Sequence, residues 1–195
     1  PAKSFTSMYL KEDGSFNDKK LSTFGYLASG VPGTVAGFWE VHQKFGSLEW
    51  ELLLEDAIFY AENGFEITPY MGDILTKYKE KLSYFAPTKN IFMKHNPDFT
   101  GSTLIQKDLA NTLKIIAKKG KDGFYKGEVA QNIASQMQKN GGLITQNDLE
   151  AYKPQWRKPL ISDYRNNKII TMGPPSSGGV HVIQMLNILE NYDLQ

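Results

Sequence analysis

Three histidines, His42, His95 and His181, are the side chains of this sequence that could exchange a proton near neutral pH. Nucleophilic catalysis needs a hydroxyl or thiol within hydrogen-bond reach of such a base. None of the three stands in a His-Glu-x-x-His metal spacing, and no Gly-x-Ser-x-Gly turn lifts a serine beside one. His181 comes nearest to a role, because it follows a glycine-rich loop by one helical turn. The chain has no cysteine, which removes thiol nucleophiles, disulfides and Cys-ligated zinc together. Glu55 and Asp56 fall on a helical pattern, where adjacent side chains point about 100° apart and cannot act on one substrate atom. An N-terminal residue can be activated by its own α-amino group, but Pro1 brings no hydroxyl. The residues therefore name no catalytic group of this chain's own.

Two loops carry the remaining chemistry. Gly30-Val-Pro-Gly-Thr-Val-Ala-Gly37 and Gly173-Pro-Pro-Ser-Ser-Gly-Gly179 each bring glycine, proline and hydroxyl residues to the start of a helical pattern. The first is neither Gly-x-Gly-x-x-Gly nor Gly-x-x-x-x-Gly-Lys-Ser/Thr, so it is not a nucleotide fingerprint. Free N–H groups and the helix dipole favour an anion such as a carboxylate at such a place. The alternative is that glycine lets strand and helix pack closely, with Ser176 and Ser177 as plain caps.

The elements around these loops follow from periodicity and punctuation. A β-like stretch is expected near Phe24–Val31, then a helix capped by Thr34 and stopped by Gly46. A second helix is expected from a Ser47 cap to Gly64, and a third from Thr68-Pro69 to about Leu82. Ala86–Thr103, with Pro87, Pro97 and Gly101, reads as a long connection. Helices follow over about 106–119 and 127–139, and a short one starts at the capping-box spacing Thr145…Asp148. Leu160–Tyr164 and Lys168–Met172 read as strands about a turn, followed by a helix to about Glu190 with Val182, Met185, Leu186 and Leu189 as its buried stripe.

The wider composition closes off several function classes. With 22 basic and 21 acidic residues, the net charge of +1 supplies no field for nucleic acid or an anionic membrane. Lys114, Lys118, Lys119 and Lys121 cluster where a helix ends, a place that suits cations. Apolar runs such as 57–61 fall far short of the ~20 residues of a membrane span. At 195 residues a single domain is the default, and Pro1 with no signal segment reads as a processed chain or a piece of a longer one.

The segment from Gly30-Val-Pro-Gly-Thr-Val-Ala-Gly through Phe-Trp-Glu-Val-His-Gln-Lys-Phe-Gly-Ser-Leu48 resembles the γ-glutamyltranspeptidase (glutathione hydrolase) family, in the large subunit of its bacterial members. Asp108-Leu-Ala-Asn-Thr-Leu, Gly123-Phe-Tyr-Lys-Gly-Glu, Asn140-Gly-Gly-Leu-Ile-Thr-Gln-Asn-Asp-Leu and Met172-Gly-Pro-Pro-Ser-Ser-Gly-Gly-Val resemble it in the same order, as does Met8-Tyr-Leu near the start. Gly101-Ser102 stands where the family more often has Gly-Asp, and Gly173 where a third proline is common.

The resemblance implies an α+β chain: the helix-rich part of a four-layer αββα N-terminal nucleophile hydrolase sandwich, incomplete over residues 1–195. It implies a precursor that cuts itself into two subunits, the small one supplying a threonine whose own α-amino group is its base. That enzyme would cleave γ-glutamyl amides such as glutathione through a γ-glutamyl-enzyme, passing the group to water, amino acids or peptides. On this reading the small subunit and the segment before Pro1 lie outside the chain, which has no catalytic residue and is inactive alone. Ser176, Ser177, Gly178 and Gly179 are expected to shape the substrate site. No metal or organic cofactor is implied, and the location would be periplasmic or secreted. A related acylase, a poly-γ-glutamate-processing enzyme of the same superfold, and a non-catalytic binding module are the alternatives.

Overall fold

A computed structural model describes residues 1–16, 21–95 and 99–193. The chain divides into two compact units, Pro1–Lys153 and Pro154–Gln195.

In the first unit, Gly33 precedes helix α1 (Thr34–Phe45), and Gly46 ends it. Thr34 is thus the first residue of the helix and not its cap. The expected strand near Phe24 is instead a single 3-10 turn, Tyr26–Ala28. Its aromatic residues are satisfied by rings and not by a strand partner: Phe24 lies 5.4 Å from Phe85 in a stack, and Tyr26 meets the same ring edge-on. The second helix also starts later than its Ser47 signal. A 3-10 turn, Leu52–Leu54, leads into α2 (Glu55–Asn63), whose first turn holds Glu55 and Asp56. The preceding segment is committed elsewhere, since Trp50 Nε1 donates to the Ile116 carbonyl (3.0 Å) and His42 Nε2 donates to that of Leu48 (2.8 Å).

Strand β1 (Phe65–Glu66) pairs antiparallel with β2 (Thr103–Leu104). Between them, α3 (Pro69–Lys77) begins as the Thr68-Pro69 signal requires, with Thr68 Oγ1 accepting from Met71 N at 3.3 Å. The helix breaks at Tyr78 (φ −102°, ψ 13°), and α4 (Lys79–Leu82) follows as a separate turn. The expected long connection contains a helix, α5 (Ala86–Phe92). Pro87 reads as a breaker by type, yet it sits in the first turn, where its missing N–H has no partner to lose. Pro97 lies outside the described residues. The Ser102 hydroxyl donates to the Phe99 carbonyl, while Gly101 turns at φ 78°.

Helices α6 (Lys107–Lys119), α7 (Asp122–Tyr125) and α8 (Gly127–Lys139) follow, and α9 (Gln146–Glu150) starts in a complete capping box. Ala36, Tyr125, Ala130, Ile144 and Leu149 form one buried cluster, and Ile67, Leu75, Phe99 and Leu104 a second around the β1–β2 pair.

Asp148 does more than cap α9. Its carboxylate accepts from the Thr145 hydroxyl (2.6 Å), the Thr145 amide (2.9 Å) and the Ala2 amide (2.6 Å). Hydrogen bonding from Thr145 first, then from Ala2, holds its pKa at about 2, below the ordinary 3.8. A lowered acid pKa stabilises the fold above the ordinary value and loses that contribution as pH falls through the folded one. The capping box is therefore expected to weaken between about pH 4 and about pH 2. A chemical-shift titration of Asp148 checks this; a midpoint near the ordinary carboxylate value would refute it.

In the second unit, β3 (Leu160–Tyr164) and β4 (Asn167–Thr171) form an antiparallel hairpin with Leu160 opposite Thr171 and Tyr164 opposite Asn167. Both connecting residues have positive φ, Arg165 at 47° and Asn166 at 64°, as a two-residue turn between twisted strands requires. Arg165 N donates to Glu190 Oε1 (3.0 Å) and its guanidinium to the Tyr192 carbonyl (2.7 Å), which ties the turn to the end of α10 (Gly178–Leu189). The stripe expected to be buried on α10 is largely exposed: Val182 at 41%, Met185 at 54% and Leu189 at 39%. Among the described residues the strands form two two-stranded sheets, too little sheet to cover these apolar faces.

Candidate functional site

Gly173 and Gly179 are buried at either end of the loop before α10, while Ser177 and Gly178 are exposed and Ser176 half-buried. The Pro174–Pro175 peptide within it is cis. Gly178 N donates to Ser176 Oγ at 3.3 Å, so Ser176 holds the loop's turn. Ser177 is the residue before the helix, but its side chain makes no cap bond; its carbonyl accepts from His181 N at 3.0 Å. Neither serine thus caps α10 through its side chain, and Ser176 closes a turn onto Gly178. Gly179 has no room for a side chain: a Cβ would strike the Met172 carbonyl and come within 2.8 Å of Thr171 Oγ1. The glycine is what lets α10 start against the end of β4.

A groove of about 690 Å³ runs beside this loop, lined by Arg157, Lys158, Ile170, Met172, Gly173 and Pro175 among others. Its two cations precede β3 and have no motif in common with the loop, so the sequence carries no signal that the hairpin brings them to Gly173.

The other glycine loop is used differently. Tyr125 Oη donates to the Pro32 carbonyl (2.7 Å) and accepts from Ala36 N (3.2 Å). A side chain from α7 therefore occupies one of the N–H groups at the start of α1. Gly33 lies against the Tyr152 ring, whose hydroxyl a Cβ would strike, and Tyr152 stacks on Tyr125 at 5.7 Å. Burial raises the pKa of the Tyr125 phenol, so it stays protonated and keeps its donor role. Close packing on Tyr152 accounts for Gly33, whereas Gly30 has open space beside it.

The histidines do not converge on a nucleophile. His42 donates to Leu48, as above, at the rim of an apolar groove of about 520 Å³ lined by Val35, Phe38, Trp50, Leu53 and Leu113. His95 lines a separate groove with Lys94 and Ser102. Among the described residues no cluster of three or more His, Asp or Glu side chains could hold a metal ion, and no helix is long and apolar enough to cross a membrane.

The family model for gamma-glutamyltranspeptidase matches residues 1–195. The chain is 45% identical over 197 residues to the glutathione hydrolase proenzyme of Escherichia coli, covering 100% of this chain and 34% of that protein. It is 38% identical over 200 residues to the acylase ACY 1 proenzyme of Pseudomonas sp. strain SE83, covering 100% of this chain and 36% of that one. The chain thus spans about a third of the length of these curated relatives. In three dimensions it is similar to the crystal structure of Helicobacter pylori gamma-glutamyltranspeptidase, with a TM-score of 0.95 and 44% identity over 100% of this chain and 56% of that one. The helix-rich α+β fold with its partial sheets is thereby that of the solved relative, and the chain belongs to the gamma-glutamyltranspeptidase family.

Proposed function

We propose that residues 1–195 are part of the large subunit of a γ-glutamyltransferase or glutathione hydrolase. The carrying observation is the match over the whole chain, at 45% identity and a TM-score of 0.95. The chain contributes structural support, while the nucleophilic threonine belongs to a small subunit cut from the same precursor. That threonine attacks the γ-glutamyl carbonyl with its own amino group as base, and the γ-glutamyl-enzyme passes its acyl group to water, an amino acid or a peptide. The family resemblance points to a periplasmic or secreted enzyme. Within the chain, Ser176–Gly179 shapes the substrate site, as supported by its hydrogen-bonded turn beside the Arg157–Lys158 groove.

The complete gene product is expected to release the chromophore from a γ-glutamyl anilide, and residues 1–195 alone are not. Ser176→Ala and Ser177→Ala together are expected to lower turnover or precursor cleavage of the complete protein several-fold. Unchanged rates of both would leave Ser176 as a turn residue only. The 38% identity to an acylase proenzyme favours an acylase as the second reading. Parallel assays on glutathione, a glutaryl amide and poly-γ-glutamate separate the substrates, because the best of the three identifies the amide that the site accepts.

A further inference from the structure

The chain contains two Asn-Gly pairs that end helices, Asn63-Gly64 after α2 and Asn140-Gly141 after α8. In both, the asparagine is exposed and its amide donates to the carbonyl four residues back: Asn63 Nδ2 to Phe59 (3.0 Å) and Asn140 Nδ2 to Gln136 (2.8 Å). They differ at the glycine. Gly64 N donates to the Tyr60 carbonyl at 2.9 Å, and the space beside its Cα is filled by Ile105 Cγ1 and Thr103 Cγ2, each 2.6 Å from where a Cβ would stand. Gly141 is exposed, has nothing within 4 Å of that position, and its N–H makes none of the hydrogen bonds found among the described residues.

We propose that Asn140 is a site of spontaneous deamidation in the folded protein and that Asn63 is protected from it. The Gly141 amide nitrogen attacks Asn140 Cγ, losing its proton to solvent base. The new N–Cγ bond closes a succinimide, and the Cγ–Nδ2 bond breaks to release ammonia. Water then opens the ring, giving aspartate when it attacks Cγ and isoaspartate when it attacks the backbone carbonyl. At Gly141 the peptide can rotate toward Cγ without breaking a bond at the attacking nitrogen. At Gly64 the same rotation breaks the bond to Tyr60 and displaces two packed side chains.

The product changes the end of α8. A carboxylate replaces the amide that donates to Gln136, at the negative end of the helix dipole. Isoaspartate also lengthens the backbone just before Gly142, whose N–H donates to the Met137 carbonyl at 2.8 Å. Met137 packs on the Ala130–Leu149 cluster, so loosening of the last turn of α8 reaches that core.

The test is incubation of the complete folded protein in warm, mildly alkaline buffer, with peptide mapping for the amide-to-acid mass gain and for isoaspartate, alongside a sample unfolded in urea. In the folded protein Asn140 is expected to convert on the order of tenfold faster than Asn63, the factor that one broken hydrogen bond and displaced packing imply. In urea the two rates are expected to converge. Equal rates in the folded protein, faster loss at Asn63, or a difference that persists in urea would each overturn the proposal.

Discussion

Gly179→Ala is expected to destabilise the second unit by about 3 kcal/mol, the upper range for forcing an extra carbon into a packed site. The added methyl strikes the Met172 carbonyl and comes within 2.9 Å of Thr171 Cγ2. A backbone oxygen cannot swing aside as a side-chain end can, so either β4 or the first turn of α10 must move. The intrinsic helix preference of alanine over glycine returns only about 1 kcal/mol. Gly178→Ala is the matched control, because its nearest neighbour is Ser176 Oγ at 3.5 Å. That change is expected to be neutral or slightly stabilising. Urea unfolding of the complete protein, read by proteolytic susceptibility of residues 154–193, distinguishes the two variants. Equal midpoints would mean that α10 can slide along the hairpin.

Tyr125→Ala is expected to cost about 3–5 kcal/mol in the first unit, as removal of a buried aromatic side chain does. The phenol is 4% exposed, stacks on Tyr152 and joins the loop before α1 to α7. Tyr125→Phe separates the hydroxyl from the ring. It keeps the packing but leaves the N–H of fully buried Ala36 without its acceptor, at a cost of about 1–3 kcal/mol. The same urea experiment, read by tryptophan fluorescence, checks both. A phenylalanine variant as stable as the parent would show that water reaches the start of α1.

What could be read in the sequence was local. The Thr145–Asp148 box, the strand Leu160–Tyr164 and the Thr68-Pro69 helix start depend on residues within a few positions of one another, and the structure places them as expected. The loop before α10 was legible as a glycine-rich helix start for the same reason. Errors arose where a distant group decided. Phe24 and Tyr26 turn toward Phe85 and not into a strand, and Trp50 is drawn to Ile116, which delays α2. Tyr125 carries no local sign that its hydroxyl would take the N–H of Ala36, a residue 89 positions away. The helical stripe of α10 was correctly periodic, but periodicity marks an apolar face and says nothing of what covers it.

The tie from Arg165 to Glu190 and Tyr192 bears on the order in which the chain can assemble. Its partners are 25 and 27 positions apart, against 93 for Tyr125 and Pro32. Closing a loop costs entropy that rises with its length, so nearby partners meet first when other terms are equal. The register of the hairpin is set by pairs that all fall between Leu160 and Thr171. During synthesis the hairpin and its helix can close once Tyr192 has emerged after Arg165, whereas the start of α1 must wait for Tyr125 before it is held.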